Sequence, residues 1–312
     1  MSIIVVSKLY YYKGAVYMFD RIFAKYLVSE GKLAQEALAD IFQTQDQKRV
    51  RLGVIAISEK LMTIEQVEEV NQLQAIKDKR FGDIAVEKGY LTDEQVSRLL
   101  VLQGNAFLAF MQSVVDGGHL SMAEFNDCLE NYQKANGFTL TNMEDLKSCD
   151  VDRIIPIFTF GQPEITQDLC GIVIRTIARL IDYHVYILPP QINTEVEYSA
   201  ICLQPILGDH KIITCITGDI NGSMFETAIG FAGSENVVCE EDCLDALCEF
   251  INCVNGLLAT DFSGKGIDID MDAPFASGTA GTLKSDSILT LPVIVYGKQL
   301  DLHIILDRDY TV

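Results

Sequence analysis

The stretch DALCEFINCVNG, residues 245–256, carries three polar side chains at helical spacing in an apolar neighbourhood. Asp245, Glu249 and Asn252 stand at positions i, i+4 and i+7, so a helix would place them on one stripe. The opposite face would hold the apolar residues Leu244, Leu247, Cys248, Ile251, Val254 and Leu258. The sequence therefore predicts an amphipathic helix over residues 242–258, with Asn255 and Gly256 shaping its end.

The segments around this helix are typical of β-strands and of one further helix. The run ITQDLCGIVIRTIARLI (165–181) predicts a strongly apolar helix. Strands are expected in the β-rich runs HVYIL (184–188), EYSAICLQPI (197–206), HKIITCIT (210–217), LTLPVIVY (289–296) and LDLHIIL (300–306). Asn221-Gly222 is a hairpin signal and Gly297-Lys298 a turn signal. The pattern predicts an α+β domain in which two long helices accompany an antiparallel sheet.

The first half of the chain predicts a different architecture, because it repeats itself. RLGVIAISEKLMTIEQV begins at Arg51 and RFGDIAVEKGYLTDEQV at Arg80, which gives a period of 29 residues. Two apolar columns follow the same step, one of Phe23, Leu52, Phe81 and Phe110 and one of Leu33, Met62, Leu91 and Leu120. Capping boxes are expected at Thr63 with Gln66, Thr92 with Gln95 and Ser121 with Glu124. We expect stacked helical hairpins that share one core.

These patterns divide the chain into four parts. Residues 1–17 precede the repeats and are expected to form an N-terminal extension. The helical-repeat domain covers residues 18–135, and a polar, turn-rich linker covers 136–159. The α+β domain covers residues 160–312.

Composition restricts the partners that the chain can have. Residues 151–312 carry a net charge of −15 out of −20 for the whole chain. A surface this acidic repels a phosphate backbone, so nucleic acid is not expected, whereas a basic protein surface is. No stretch has the length and apolar character of a membrane span, and nine cysteines outside any disulfide pattern indicate a reducing compartment. We expect a cytoplasmic protein without membrane insertion, whose cysteines are small buried side chains rather than metal ligands.

The polar stripe also resembles a known signature. Asp245, three residues, Glu249, two residues, Asn252 and then Pro274 resemble the CheC/CheX/FliY chemotaxis phosphatase motif. The resemblance extends over about residues 160–312. It implies a CheX-like fold and hydrolysis of the phospho-aspartate of a CheY-type response regulator. The presence of one motif in the chain resembles CheX, whose domains tend to dimerise, so a homodimer through this domain is expected.

The resemblance also implies a role for each residue of the motif. Asn252 is expected to orient the attacking water, and Glu249 to pair with the lysine of the receiver domain. Asp245 is expected to be accessory and Pro274 to be structural. The Mg²⁺ of the reaction belongs to the receiver, so this chain needs no cofactor of its own. The alternative is a non-catalytic signalling adaptor that keeps the fold, binds a receiver or another partner, and responds to cyclic di-GMP.

The repeats resemble the N-terminal domain of type II secretion and type IV pilus ATPases, the MshE N-terminal type. That resemblance implies cyclic di-GMP as a ligand, bound through arginine, the adjacent backbone and apolar side chains. The corresponding residues here are Arg51, Leu52, Gly53, Arg80, Phe81, Gly82 and Gln103. The alternative is that Arg-x-Gly and the leucines only build the hairpins.

Overall fold

A computed structural model describes residues 18–47, 49–77 and 79–312. The predicted extension 1–17 lies outside the described residues. The described chain forms two compact units, Phe19–Cys149 and Asp150–Val312, the second together with Met18. The division falls inside the predicted linker, 136–159, which is not an extended connection but contains two short helices. The predicted division into four parts itself stays a prediction.

The N-terminal unit is helical throughout its described residues. Its helices are α1 Phe19–Ser29, α2 Ala37–Gln47, α3 Leu52–Ser58, α4 Ile64–Lys77, α5 Phe81–Glu87, α6 Asp93–Val101, α7 Ala106–Asp116, α8 Met122–Ala135 and α9 Leu140–Lys147. A short 3₁₀ turn, Leu102–Gly104, joins α6 to α7. The core contains aromatic rings, with Phe19 stacked on Phe107 at 4.9 Å and Phe23 edge-on to Phe125 at 5.4 Å.

Each predicted capping box is present. The backbone N–H of Thr92 donates to Gln95 Oε1 at 2.8 Å, and the N–H of Gln95 donates to Thr92 Oγ1 at 3.2 Å. The same reciprocal bonds join Thr63 with Gln66 and Ser121 with Glu124. Because these pairs satisfy N–H groups that have no partner inside the helix, they fix where the second helix of each hairpin begins.

A left-handed residue ends the first helix of each hairpin. These residues are Gly31, Lys60, Gly89 and Gly118, with φ of 66°, 57°, 71° and 68°, and they recur every 29 residues. Glycine adopts this conformation without steric cost, whereas Lys60 carries a Cβ there. The spacing agrees with the predicted period, and the internal repeat itself stays a prediction.

The C-terminal unit is α+β, as the sequence predicts. Its helices are α10 Val151–Phe158, α11 Glu164–Leu180, α12 Ser223–Ala232 and α13 Glu240–Gly264. Its strands are β1 Tyr186–Ile187, β2 Gln191–Tyr198, β3 Ala200–Gly208, β4 Ile212–Gly218, β5 Ile269–Met271, β6 Phe275–Ser277, β7 Gly281–Val295, β8 Lys298–Leu306 and β9 Tyr310–Thr311. The two long helices are α11 and α13.

The strands of this unit form one antiparallel sheet in the described part of the chain. The order is β1-β7-β8-β4-β3-β5, with β2 and β9 also pairing with β7 and β6 pairing with β3. Because side chains alternate along a strand, β3 and β4 each present one row to α13 and another to the opposite face. The opposite row includes Ile201, Leu203, Ile213 and Cys215, which form a buried apolar cluster with residues of β7 and β8.

One turn prediction was wrong and another is confirmed. Asn221-Gly222 does not form a hairpin but leads from β4 into α12. The carboxylate of Asp219 accepts the N–H of Asn221 at 3.0 Å, and a Cβ at position 222 would lie 2.5 Å from Asp219 Oδ2. Glycine at position 222 therefore lets the Asp219 carboxylate lie close to the backbone, where a larger residue would clash. The turn at Gly297 does join β7 to β8, with Tyr296 at φ 50° and Gly297 at φ 77°.

Candidate functional site

Helix α13 carries the predicted site and begins with an acidic turn. The Asp242 carboxylate accepts the N–H groups of Val238 and Cys239 at 3.0 and 3.1 Å. Hydrogen bonds from the Cys239 thiol and the Val238 amide lower the pKa of Asp242. Glu240 and Glu241 add negative charge at the positive end of the helix dipole. The helix runs on to Gly264, beyond the predicted end at residue 258, and buries Cys243, Leu247, Phe250, Ile251, Val254, Asn255, Leu258 and Phe262.

The predicted polar stripe lies on one edge of this helix. Asp245 and Glu249 are exposed, whereas Asn252 is half-buried. Positions three residues apart on a helix bring Cβ atoms to about 5–6 Å, so the Glu249 carboxylate and the Asn252 amide are neighbours. Within the described ranges, Asp245 and Glu249 have no hydrogen bond or ion pair, which leaves both carboxylates available to a partner.

The Asn252 side chain is held from beneath by strand β3. Gln204 Nε2 donates to Asn252 Oδ1 at 3.0 Å and also to the backbone oxygen of Asp272 at 2.9 Å. Gln204 is only 1% exposed, and its Oε1 accepts from Asn255 Nδ2 at 2.9 Å. Asn255 Oδ1 in turn accepts from Thr214 Oγ1 on β4 at 2.8 Å. A buried chain of polar groups thus runs from the sheet to the candidate catalytic amide.

Asn255 corrects one expectation. The sequence places it with Gly256 at the end of the helix, but the helix continues through both residues. Asn255 is fully buried, and its amide bonds to Gln204 and Thr214. A buried amide costs free energy unless it is hydrogen-bonded, so Asn255 is compatible with the interior only because the sheet supplies these two partners.

Pro274 lies in an irregular connection between β5 and β6, both of which pair with β3. Ile206 pairs with Met271 and Leu203 with Phe275, so one extra residue of this edge is accommodated between the two pairs. Such a β-bulge interrupts the hydrogen-bond ladder, and proline, which has no N–H, fits where no ladder bond is made. Here the backbone oxygen of Asp272 turns to Gln204. The prediction that Pro274 is structural agrees with this position, although its role in function stays a prediction.

Gln204, Asn255 and Thr214 were not predicted as parts of the site. Gln204 is the one amide side chain in the apolar run AICLQPILG of β3, and this isolated polarity was the available signal. The role of Gln204 depends on its hydrogen-bond partners on α13 and in the β5–β6 connection. These partners are 48 and 68 residues away along the chain, so the sequence pattern around Gln204 does not reveal them.

The cysteines of α13 and its N-terminus lie at different depths. Cys239 and Cys253 are exposed, Cys248 is intermediate, and Cys243 is buried, where desolvation raises the pKa of its thiol to about 11. Among the residues that the structure describes, no group of three or more His, Cys, Asp or Glu could hold a metal ion.

The residues proposed to bind cyclic di-GMP occupy corresponding positions in two hairpins. Arg51 and Arg80 have extended backbones directly before α3 and α5. The glycines have a packing role, since a Cβ at Gly53 would lie 2.6 Å from a methyl of Val67, and one at Gly82 would lie 2.8 Å from a methyl of Val96.

The remaining residues of this set have local roles as well. Arg51 forms an ion pair with Asp116, and Gln103 Nε2 donates to the backbone oxygen of Val50 at 2.9 Å. Leu52 is half-buried and Phe81 is buried. Arg80 is exposed and has no ion pair with any described residue. Cyclic di-GMP binding by these residues stays a prediction.

One helix of the described residues, α13, is long and apolar enough to cross a membrane by length and composition alone. Its apolar side chains pack on the sheet and on α11 and α12, as in core helices, which pass the same test. The helix therefore gives little reason to infer a membrane span.

Comparison with known proteins gives matches to solved structures alone. No protein-family model and no curated protein matches the sequence. The matched structures include CheX from Desulfovibrio desulfuricans (15% identity, TM-score 0.40) and a CheC-like superfamily protein from a Shewanella species (18%, 0.41). They also include a CheX-CheY-BeF3-Mg²⁺ complex from Borrelia burgdorferi (15%, 0.38). Each match covers 46% of this chain and 98 or 99% of the other. The structural neighbours of the C-terminal unit are thus CheX and CheC-like chemotaxis proteins.

Proposed function

We propose that the C-terminal unit hydrolyses the phospho-aspartate of a CheY-type receiver domain. The observation that carries this proposal is that two side chains lie next to each other on one edge of α13. They are the exposed Glu249 carboxylate and the Asn252 amide, which is anchored by Gln204. A carboxylate without a partner can dock a cation, and a fixed amide can orient a water molecule. The acidic charge of this half of the chain favours approach of a basic surface.

In the proposed reaction no covalent bond to this chain forms or breaks. A receiver domain contributes its own Mg²⁺ and lysine, which neutralise the phosphoryl oxygens. The oxygen of a water bonds to phosphorus, the bond from phosphorus to the aspartyl oxygen breaks, and the electron pair stays on the receiver's carboxylate. Both protons of the water leave with the phosphate. Asn252 positions the water, Glu249 pairs with the receiver's lysine, and Asp245 makes an accessory contact. Positioning of this kind accounts for large rate enhancements.

The alternative is an adaptor that binds a receiver through the same edge without hydrolysis. Both functions need the Glu249 contact, and only hydrolysis needs the amide of Asn252. Binding and turnover therefore separate them. An adaptor would lose affinity when Glu249 is removed, and it would show no change in phosphoryl lifetime when Asn252 is removed. Dimerisation through this unit stays a prediction.

The test is the decay of a phosphorylated receiver in the presence of Mg²⁺. The receiver is phosphorylated with acetyl phosphate, freed of the donor, and mixed with wild-type chain, Asn252→Ala or Glu249→Ala. We expect the wild-type chain to accelerate decay of the phosphorylated receiver. The acceleration by each variant should be about 100-fold smaller. Glu249→Ala should also weaken binding to the receiver, whereas Asn252→Ala should leave the affinity near that of wild type.

A charge-matched control comes from the same helix. Glu241 is exposed in the first turn of α13, two turns before Glu249, and Glu241→Ala changes the net charge by the same amount. It should keep nearly the full rate. If the receiver decays equally fast with and without the wild-type chain, the phosphatase proposal fails for that receiver.

Cyclic di-GMP binding by the N-terminal unit is a separate proposal. Its support is that Arg80 is exposed and unpaired among the described residues, so its guanidinium can meet a phosphate. Titration calorimetry with cyclic di-GMP should give heat with wild type and lose it with Arg80→Ala. An absence of heat with both proteins would remove this ligand, whereas equal heats would show that Arg80 does not contact it.

A further inference from the structure

The Gln204 side chain determines which end of the Asn252 amide faces outward. Gln204 Nε2 lies 2.9 Å from the backbone oxygen of Asp272, and a carbonyl oxygen can only accept a hydrogen bond. This contact fixes the NH₂ group of Gln204 on that side. The same NH₂ group donates to Asn252 at 3.0 Å, so the Asn252 atom that faces it must be the oxygen.

The other end of Gln204 leads to the same orientation. Its Oε1 accepts from Asn255 Nδ2 at 2.9 Å, and Asn255 Oδ1 accepts from the hydroxyl of Thr214 at 2.8 Å. Every donor in this chain faces an acceptor. Turning the Gln204 amide over would place oxygen against the oxygen of Asp272 and NH₂ against the NH₂ of Asn255. The orientation is therefore fixed by buried neighbours on two sides.

The consequence for Asn252 is a free donor. With Oδ1 bound inward, Nδ2 is left with no hydrogen-bond partner among the described residues, and it is not one of their buried, unsatisfied atoms. It therefore reaches solvent. It lies on the same helix edge as Glu249, which is exposed three residues earlier.

We propose that Gln204 is a positioning residue that holds the Asn252 amide with its NH₂ group toward the attacking water. This inference rests on the proposed phosphatase function and adds the direction of the hydrogen bond. Nδ2 donates to one lone pair of the water oxygen, which leaves the other lone pair free to point at phosphorus. An amide turned the other way would present an oxygen and would hold the water through its hydrogen instead.

Gln204→Glu tests this inference, because a carboxylate keeps the shape and removes the donor. Ionised Glu at position 204 accepts from Asn252 Nδ2, so the amide turns over and its oxygen faces outward. We expect kcat at pH 8 to fall about tenfold or more, with little change in the KM for the phosphorylated receiver. Burial favours the neutral acid, whose single O–H can again donate to Asn252, although it cannot also serve the oxygen of Asp272. The activity relative to wild type should therefore recover as the pH falls from 8 to 6.

A structural role alone predicts a different result, and Thr217→Val is the matched control. Thr217 is buried on β4 and bonds to His303, on the face of the sheet away from α13. The Thr217→Val substitution should lower the stability of the protein and leave kcat per folded molecule near that of wild type. The inference is overturned if Gln204→Glu keeps the wild-type kcat at pH 8. It is also overturned if Thr217→Val loses kcat to the same extent, or if the loss with Gln204→Glu does not depend on pH.

A second readout does not need phosphatase activity. The side-chain NH₂ resonances of Asn252 can be assigned in ¹⁵N spectra by their disappearance in Asn252→Asp. In wild type these protons should exchange rapidly with water, and in Gln204→Glu at pH 8 they should become protected. If no receiver is hydrolysed but this protection appears, the proposed function fails and the orientation stands. Slow exchange in wild type would overturn the orientation itself.

Discussion

Gln204 and Asn252, 48 residues apart in the sequence, are joined by a 3.0 Å hydrogen bond from the sheet to the helix. Through this bond the oxygen of the half-buried Asn252 amide is fixed to the buried sheet, while its NH₂ group reaches solvent. A side chain held in this way loses little further rotational freedom when a ligand binds, which lowers the cost of orienting a water.

The first prediction concerns the Asn252 amide itself. Asn252→Asp keeps the shape and the hydrogen bond from Gln204, but it replaces the outward NH₂ with a negative oxygen. That oxygen cannot donate to the water, and it repels the phosphoryl group. We expect a loss of about 100-fold in the rate of receiver dephosphorylation, with wild-type circular dichroism. A variant within threefold of wild type would contradict the assigned role.

The second prediction concerns His303, which is fully buried between Thr217 and Thr290. Burial lowers the pKa of His303 to about 4, from an ordinary value of 6.5. The unfolded chain takes up a proton below pH 6.5 while the folded chain does not. The free energy of unfolding is therefore unaffected by this group above pH 6.5 and falls between pH 6.5 and 4, by about 2 kcal/mol at pH 5.

His303→Gln provides the comparison for this prediction. Urea unfolding of both proteins at pH 7.5 and pH 5 should show a smaller loss of stability for the variant on acidification. Because the chain has no tryptophan, circular dichroism is the suitable signal. Equal pH dependence in the two proteins would mean that His303 is not neutral in the folded state.

The third prediction concerns the left-handed residue of the second hairpin. Lys60 has φ 57°, where the Cβ of an L-residue costs free energy, and Gly89 occupies the matching position at φ 71°. Lys60→Gly should stabilise the N-terminal unit by about 1 kcal/mol, and Gly89→Ala should destabilise it by a similar amount. Urea unfolding measures both changes. A Lys60→Gly variant less stable than wild type would contradict the prediction.

Local patterns predicted the parts of the site that depend on helical spacing alone. Asp245, Glu249 and Asn252 lie on one edge of α13 because an i, i+4, i+7 spacing leaves no other arrangement on a helix. The capping boxes of the N-terminal unit were predicted equally well, since their partners are three residues apart. Each of these inferences needs no knowledge of the rest of the fold.

Features that depend on distant partners were not predictable in the same way. Asn255-Gly256 and Asn221-Gly222 are both local stop or turn signals, and both predictions were wrong. Asn255 stays inside the helix because β3 and β4 supply its hydrogen bonds. Gly222 leads into a helix because Asp219 organises the preceding turn. For Asn255 a contact outside the local window decided the structure, whereas for Gly222 the deciding residue, Asp219, lies only three residues earlier.

The position of the β-bulge gives a geometric reason for the distance between Asn252 and Pro274 in the sequence. Beyond Asn252 the helix travels about 18 Å to Gly264 at 1.5 Å per residue. After the turn, strand β5 and the β-bulge that follows it lead the chain back along β3 toward Gln204. The return path thus brings the backbone oxygen of Asp272, two residues before Pro274, to the same Gln204 NH₂ group that holds Asn252. The number of residues between Asn252 and Pro274 is therefore matched to the length of α13. Lengthening α13 by one turn would move the bulge away from Gln204.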